Sequence, residues 1–203
     1  MPQPPEDLAG TLPRHHTMVI VFHWLTVVLL AVAVAAVLGH EWSDGGAARQ
    51  RLLDLHRLIG LGLLAIVPVR AALRRVLGGV ASNAALPAPM ALLAAVSYGA
   101  LYLLLLAVPL LGWAQWSASG RAMQLFAIFN VPALIGHDRE LAETLAQWHT
   151  TVAWLLVSLA GAHAAASLWH HYGRGDSVLG SMLPWLRSGG EARTRSAEVP
   201  VGP

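Results

Sequence analysis

Between Met90 and Trp113 the chain runs for 24 residues, mostly Leu, Ala and Val, without a single charged side chain. That length matches the roughly 20 apolar residues a helix needs to cross a hydrocarbon layer about 30 Å thick. Inside such a layer no water can satisfy backbone N–H and C=O groups, so the segment has to be helical. Composition extends the argument to the whole chain. Of 203 residues, 56% are hydrophobic and only 12% charged, against about a quarter charged in an ordinary soluble domain. The expected fold class is all-α, an integral membrane four-helix bundle.

Three other runs supply the remaining helices. The first spans about Met18 to Leu38 and carries His23. It is long enough to cross the bilayer and lacks the shorter core and small-residue cleavage site of a secretory signal, so it is expected to be retained. The second spans about Leu52 to Leu73 and holds Arg57, Pro68 and Arg70; membrane helices tolerate such a proline better than soluble ones. The fourth helix is the stretch from Gln147 to Tyr172. Between them lie a polar loop from Glu41 to Gln50, a Gly, Ala and Pro loop ending at Pro89, and a longer connection from Gln115 to Glu140. The apolar patch LFAIFNVPALI in that connection is expected to lie along the membrane interface. The domain reading is an N-terminal tail over 1–13, one membrane domain over 14–187 and a flexible tail over 188–203.

Cysteine is absent, which excludes disulfides, Fe–S clusters, thiolate metal sites and covalent c-type haem. There is no Lys, and the arginines are scattered without a nucleic-acid-like run, so no nucleic-acid partner is expected. Four spans put both termini on one side. Arg14, Arg70, Arg74, Arg75, Arg174, Arg187, Arg193 and Arg195 fall there, against Arg49, Arg51, Arg57, Arg121 and Arg139 opposite. Eight against five predicts cytoplasmic termini. Trp42, Trp113, Trp116 and Trp148 would then form an outer aromatic belt, with Trp169 and Trp185 on the inner side.

The fourth helix holds the most informative pattern. His149 and His163 are fourteen residues apart, and at about 100° per residue that spacing returns to within about 40° of one face. At about 1.5 Å per residue the two lie roughly 21 Å apart along the axis, inside the hydrocarbon layer. With the expected topology, His23 shares the inner level with His163 and His56 shares the outer level with His149. Neutral imidazole suits iron, and two imidazoles on opposite faces of a porphyrin give a six-coordinate centre fit for electron transfer. A tetrahedral zinc site needs its ligands at one depth, and these are split between two. A proton relay is a further reading, though few buried acids separate the two levels. A single intramembrane His can also simply bond to a neighbouring helix. His15, His16, His40, His137, His170 and His171 fall at or beyond the membrane edge and are expected to be mostly solvated. Arg70 follows His56 by the same offset of fourteen, which places it at the inner level. There it could pair with a haem propionate or snorkel to the inner surface.

The segments FHWL at Phe22 to Leu25, LHRLIG at Leu55 to Gly60, YLLLLAVPLLGW, QWH and AHAAASLWHHY resemble the bacterial cytochrome b561 family, whose superfamily includes the cytochrome b subunits of nickel–iron hydrogenases. The likeness covers about residues 14 to 187. It implies a di-haem b protein of the inner membrane, with His23, His56, His149 and His163 as axial iron ligands. It also implies exchange of electrons with ubiquinone or another quinone, and for the stand-alone type an oxidoreductase reaction from superoxide to quinone. The alternatives are a cytochrome b subunit serving a redox protein partner in a larger dehydrogenase or hydrogenase, and a haem-free transporter or scaffold. Membrane lipid is a partner in every case. Arg49, Arg51 and Arg57 cluster near His56, partly offset by Glu41, Asp44 and Asp54, and such a field would draw a small anion such as superoxide.

Overall fold

The computed structural model describes residues 17–77, 88–121, 123–125 and 129–173. Four helices account for nearly all of them: α1 (Thr17–Trp42), α2 (Gly46–Leu77), α3 (Ala88–Ala118) and α4 (Arg139–Gly173). Each is long and apolar enough to cross a membrane. The expected terminal tails, Arg14, Arg174, Arg187, Arg193 and Arg195, and His15, His16 and Trp185 lie outside the described residues, as does the loop over 78–87.

Every helix runs past its apolar stretch. The expected polar loop from Glu41 to Gln50 shrinks to Ser43–Gly45, because α1 continues to Trp42 and α2 begins at Gly46. Ser43 Oγ donates to the Gly39 carbonyl at 2.6 Å, and Gly45 and Gly46 turn the chain at φ 114° and 77°, a left-handed region open to glycine at little cost. α4 starts eight residues before Gln147. Its first turn is capped by Asp138, whose carboxylate accepts the Leu141 N–H at 3.0 Å, with Glu140 favourably placed near the positive end of the helix dipole. Hydropathy marks the part of a helix that sits in hydrocarbon, whereas caps and glycines set where the helix ends.

The connection between α3 and α4 holds two strands within and beside the stretch expected to lie along the interface. Met123–Leu125 pairs antiparallel with Phe129–Val131 as a short hairpin of strands β1 and β2. The following segment folds back on the end of α3. Trp113 Nε1 donates to the Pro132 carbonyl at 3.0 Å, and the Leu134 N–H donates to Ser117 Oγ at 3.0 Å. The Asp138 N–H reaches the Ala118 carbonyl at 2.9 Å. These bonds satisfy helix-end and loop groups that would otherwise be stranded.

α1 packs along α2, α3 along α4, and α2 joins the two hairpins through α3. Most large apolar side chains point outward, Leu92, Leu93 and Leu103 among them, as expected where the surroundings are lipid. The buried core is small. Ala33, Ile59 and Leu63 join α1 to α2, and Val67, Leu105 and Leu156 join α2, α3 and α4. Leu156 lies seven residues from both His149 and His163, so this second cluster forms an apolar layer between the two histidine levels.

Leu156 is 2% exposed and its neighbour Leu155 57% exposed. Leu156→Ala should cost about 2–5 kcal/mol through the cavity it leaves, while Leu155→Ala should cost well under half of that. Reversible unfolding of the two variants in detergent measures the difference.

Candidate functional site

His56 on α2 and His149 on α4 face each other near the end of the bundle that carries the α1–α2 turn. Their ring centroids are 6.1 Å apart and the planes cross at 87°. Each ring is fixed by a backbone carbonyl on a third or fourth helix. His56 Nδ1–H donates to the Ala33 carbonyl of α1 at 2.9 Å, and His149 Nδ1–H donates to the Val108 carbonyl of α3 at 2.9 Å. Those carbonyls sit inside helices and accept through their second lone pair. With the proton on Nδ1, each Nε2 carries the bare lone pair, the arrangement found when an outer partner orients a metal-binding histidine.

The separation can be tested against a bound ion. Nitrogens at about 2 Å on opposite sides of one metal, with the ring radii added, put the centroids about 6 Å apart, which agrees with the value observed. Among the described residues no group of three or more His, Asp or Glu could hold a metal ion. His56 and His149 would hold a metal only together with a group that brings its own further donors, and a b haem is such a group.

Space around the pair fits that group. A cavity of about 720 Å³ contains both rings and is walled by Ala33, Gly60, Leu105, Gly112, Ala153 and other mostly apolar residues. Gly112 lies close against the ring: a Cβ there would stand 3.0 Å from His149 Cε1 and 3.1 Å from Nδ1, so the imidazole would have to give by a few tenths of an ångström. At the cavity mouth the Arg57 guanidinium stacks 3.5 Å from the Trp116 ring centre and pairs with Asp54 at 2.9 Å. Arg121 lies over the same indole at 5.4 Å. Trp116 Nε1 is buried with no hydrogen-bond partner among the described residues. Arg57 is therefore tied down, while Arg51 is exposed and Arg49 half-buried.

The other level is built differently. Arg70 Nη2 donates to His23 Nδ1 at 2.8 Å, and its guanidinium lies 5.3 Å from the Tyr102 ring centre. His163 packs edge-on to Tyr98 with centroids 5.7 Å apart, and Arg74 covers Tyr98 at 4.7 Å. The structure thus brings His56 to His149 and His23 to Arg70, with His163 beside Tyr98.

Two of the edge histidines have structural work. His40 Nδ1 bonds to the Arg49 carbonyl across the α1–α2 turn, and His137 Nδ1 to the Ala118 carbonyl at the end of α3, each at 3.0 Å. His171 lies edge-on to Tyr172. Sequence reading missed Gly112, Trp116 and Arg121 as parts of the site. Only the GW pair at Gly112 and Trp113, four residues past the Val108 carbonyl, hinted that α3 approaches another helix closely.

A family model described as prokaryotic cytochrome b561 matches residues 14–185. Cytochrome b561 homolog 1 of Escherichia coli is 29% identical over 166 residues, covering 81% of this chain and 94% of its own. Cytochrome b561 homolog 2 of the same organism is 30% identical over 181 residues, covering 87% and 95%. A protein of Yersinia pestis named probable superoxide oxidase CybB is 28% identical over 184 residues, covering 86% and 98%. Four helices able to cross a membrane, with two imidazoles facing each other inside the bundle, define an all-α membrane protein of the four-helix class. The chain belongs to the prokaryotic cytochrome b561 family, which implies b-type haem and electron transfer in a bacterial membrane.

Gly112→Ala should push the His149 ring from its position and weaken haem affinity at that level by about 10- to 100-fold, the usual cost of disturbing what orients a ligand. Haem titration of the stripped variant measures it, and an unchanged affinity would show that the ring has room to move.

Proposed function

We propose that this chain carries electrons across a bacterial membrane through two b haems, from a small donor on the outer side, superoxide, to a membrane quinone. His56 and His149 hold one haem, and His23 and His163 hold the other. The observation that carries the reading is the facing of His56 and His149, with both Nδ1–H groups committed to carbonyls and both Nε2 atoms bare. A haem held by these imidazoles would supply a one-electron couple.

The protein's own part is positional. Helices α1 and α3 fix the two imidazoles through backbone oxygens, so neither ring has to reorganise as the charge on the metal changes. The layer of Val67, Leu105 and Leu156 keeps the region between the levels apolar. The sequence's bias of eight arginines against five supports a topology with the Arg57, Trp116 and Arg121 tier on the outer side and both termini in the cytoplasm. Arg57 and Arg121 set two cations at the cavity, partly offset by Asp54 and Glu41, and these cations favour the approach of an anionic donor. Superoxide gives up one electron and leaves as dioxygen. Two such electrons and two protons convert a quinone to a quinol. The name of the Yersinia pestis relative supports superoxide as donor.

Two experiments test the reading. Haem quantitation on single His→Ala variants should show His56→Ala and His149→Ala losing one centre and His23→Ala and His163→Ala the other. Loss of the same centre in His23→Ala and His56→Ala would contradict pairing by depth. Superoxide generated outside proteoliposomes should reduce the haem quickly, with steering worth about 10- to 1,000-fold in rate and weakening as salt rises. Arg121→Gln should slow it further. A haem that superoxide does not reduce would point to a subunit fed by a protein partner.

A further inference from the structure

The two levels hold their histidines in opposite tautomers. A guanidinium has only donors, so His23 Nδ1 accepts from Arg70, and the proton of the neutral ring sits on Nε2. His56 and His149 donate from Nδ1 to the Ala33 and Val108 carbonyls and leave Nε2 bare. The facing pair is set for a metal as it stands. His23 is not, and Arg70 is the reason.

Arg70 is itself short of a counter-charge. Among the described residues no carboxylate forms an ion pair with it; the ion pairs there are Arg57 with Asp54 and Arg139 with Glu143. Beside it the Tyr102 hydroxyl is buried with no hydrogen-bond partner among the described residues. A cation held within an apolar bundle is costly until an anion meets it. A carboxylate is the anion that the planar fork of a guanidinium fits, through two parallel hydrogen bonds.

From this arrangement we infer that Arg70 is a carboxylate-operated latch on His23: a carboxylate arriving at this level draws the guanidinium off Nδ1, and His23 can then offer Nε2 to a metal. The inference rests on the reading that His23 and His163 hold a haem, and it adds an order of assembly. The His56 and His149 level accepts a tetrapyrrole without rearrangement. The His23 level accepts one only if it carries a carboxylate arm for Arg70 and the Tyr102 hydroxyl. When the latch opens, Nε2 gives up its proton and Nδ1 takes one, so the ring stays neutral and its lone pair at Nε2 becomes the ligand.

The test uses full-length protein stripped of haem in detergent and titrated with haem or with haem dimethyl ester, whose carboxylates are capped. Wild-type protein should take two equivalents of haem with low-spin spectra but only one of the ester. That one should persist in His23→Ala and vanish in His56→Ala. Arg70→Leu, which removes the latch, should take two equivalents of the ester. Its first equivalent at His56 and His149 reports that the variant is folded, and Arg70→Met serves the same purpose if Arg70→Leu is not. Wild-type protein taking two equivalents of ester or none, or latch-free variants still taking one, would overturn the latch. Wild-type protein that takes only one equivalent of ordinary haem would instead overturn the two-haem reading, and the two failures are told apart by that first titration.

Discussion

Two hydrogen bonds organise the site: His56 Nδ1–H to the Ala33 carbonyl and His149 Nδ1–H to the Val108 carbonyl. Each joins a histidine on one helix to the backbone of its partner, α2 to α1 and α4 to α3, so the ring orientations and the helix pairing specify each other. In an apolar bundle an imidazole N–H without an acceptor is expensive, and these carbonyls remove that cost while directing the other nitrogen inward. A side-chain acceptor could swing or titrate, whereas a helical carbonyl is held by the bonds of its own helix. Gly112 lets the His149 ring lie close against α3.

The same bundle treats its two histidine levels unequally. One has carbonyl-oriented rings and a cavity; at the other an arginine is bonded to the first ring and a tyrosine lies edge-on to the second. Between them Val67 is fully buried, with Leu105 and Leu156 beside it. Charge placed at either level is therefore separated by low-dielectric packing and felt over a longer range than it would be in water. Arg57 and Arg121 over Trp116 at one end, and Arg70 and Arg74 over Tyr102 and Tyr98 at the other, put cations close to both levels. Cations at those positions favour the more electron-rich state of whatever redox group the histidines hold.

Much of this was legible in the sequence because membrane helices are read from length and apolarity, and because an offset of fourteen residues repeats a helical face. That offset related His149 to His163 and His56 to Arg70 before any packing was known, and the structure places Arg70 against His23. Helix ends were less legible. α1 and α2 run through polar residues such as Glu41 and Gln50, which hydropathy scores as loop although the backbone stays helical until Ser43. The Trp116 tier was hidden for another reason. Arg57 and Arg121 are 64 positions apart and meet only because α2 packs on α3 and the α3–α4 connection folds back. The β1–β2 hairpin was missed because its residues are as apolar as an interfacial segment.

The claim on which the rest depends is that each of two levels holds one iron between two imidazoles. Iron-edge X-ray absorption on protein purified from membranes, with iron and chain quantified in the same sample, tests it most directly. The account predicts two irons per chain, each with six nitrogen neighbours at about 2 Å. One iron per chain, or a five-coordinate shell, would contradict it.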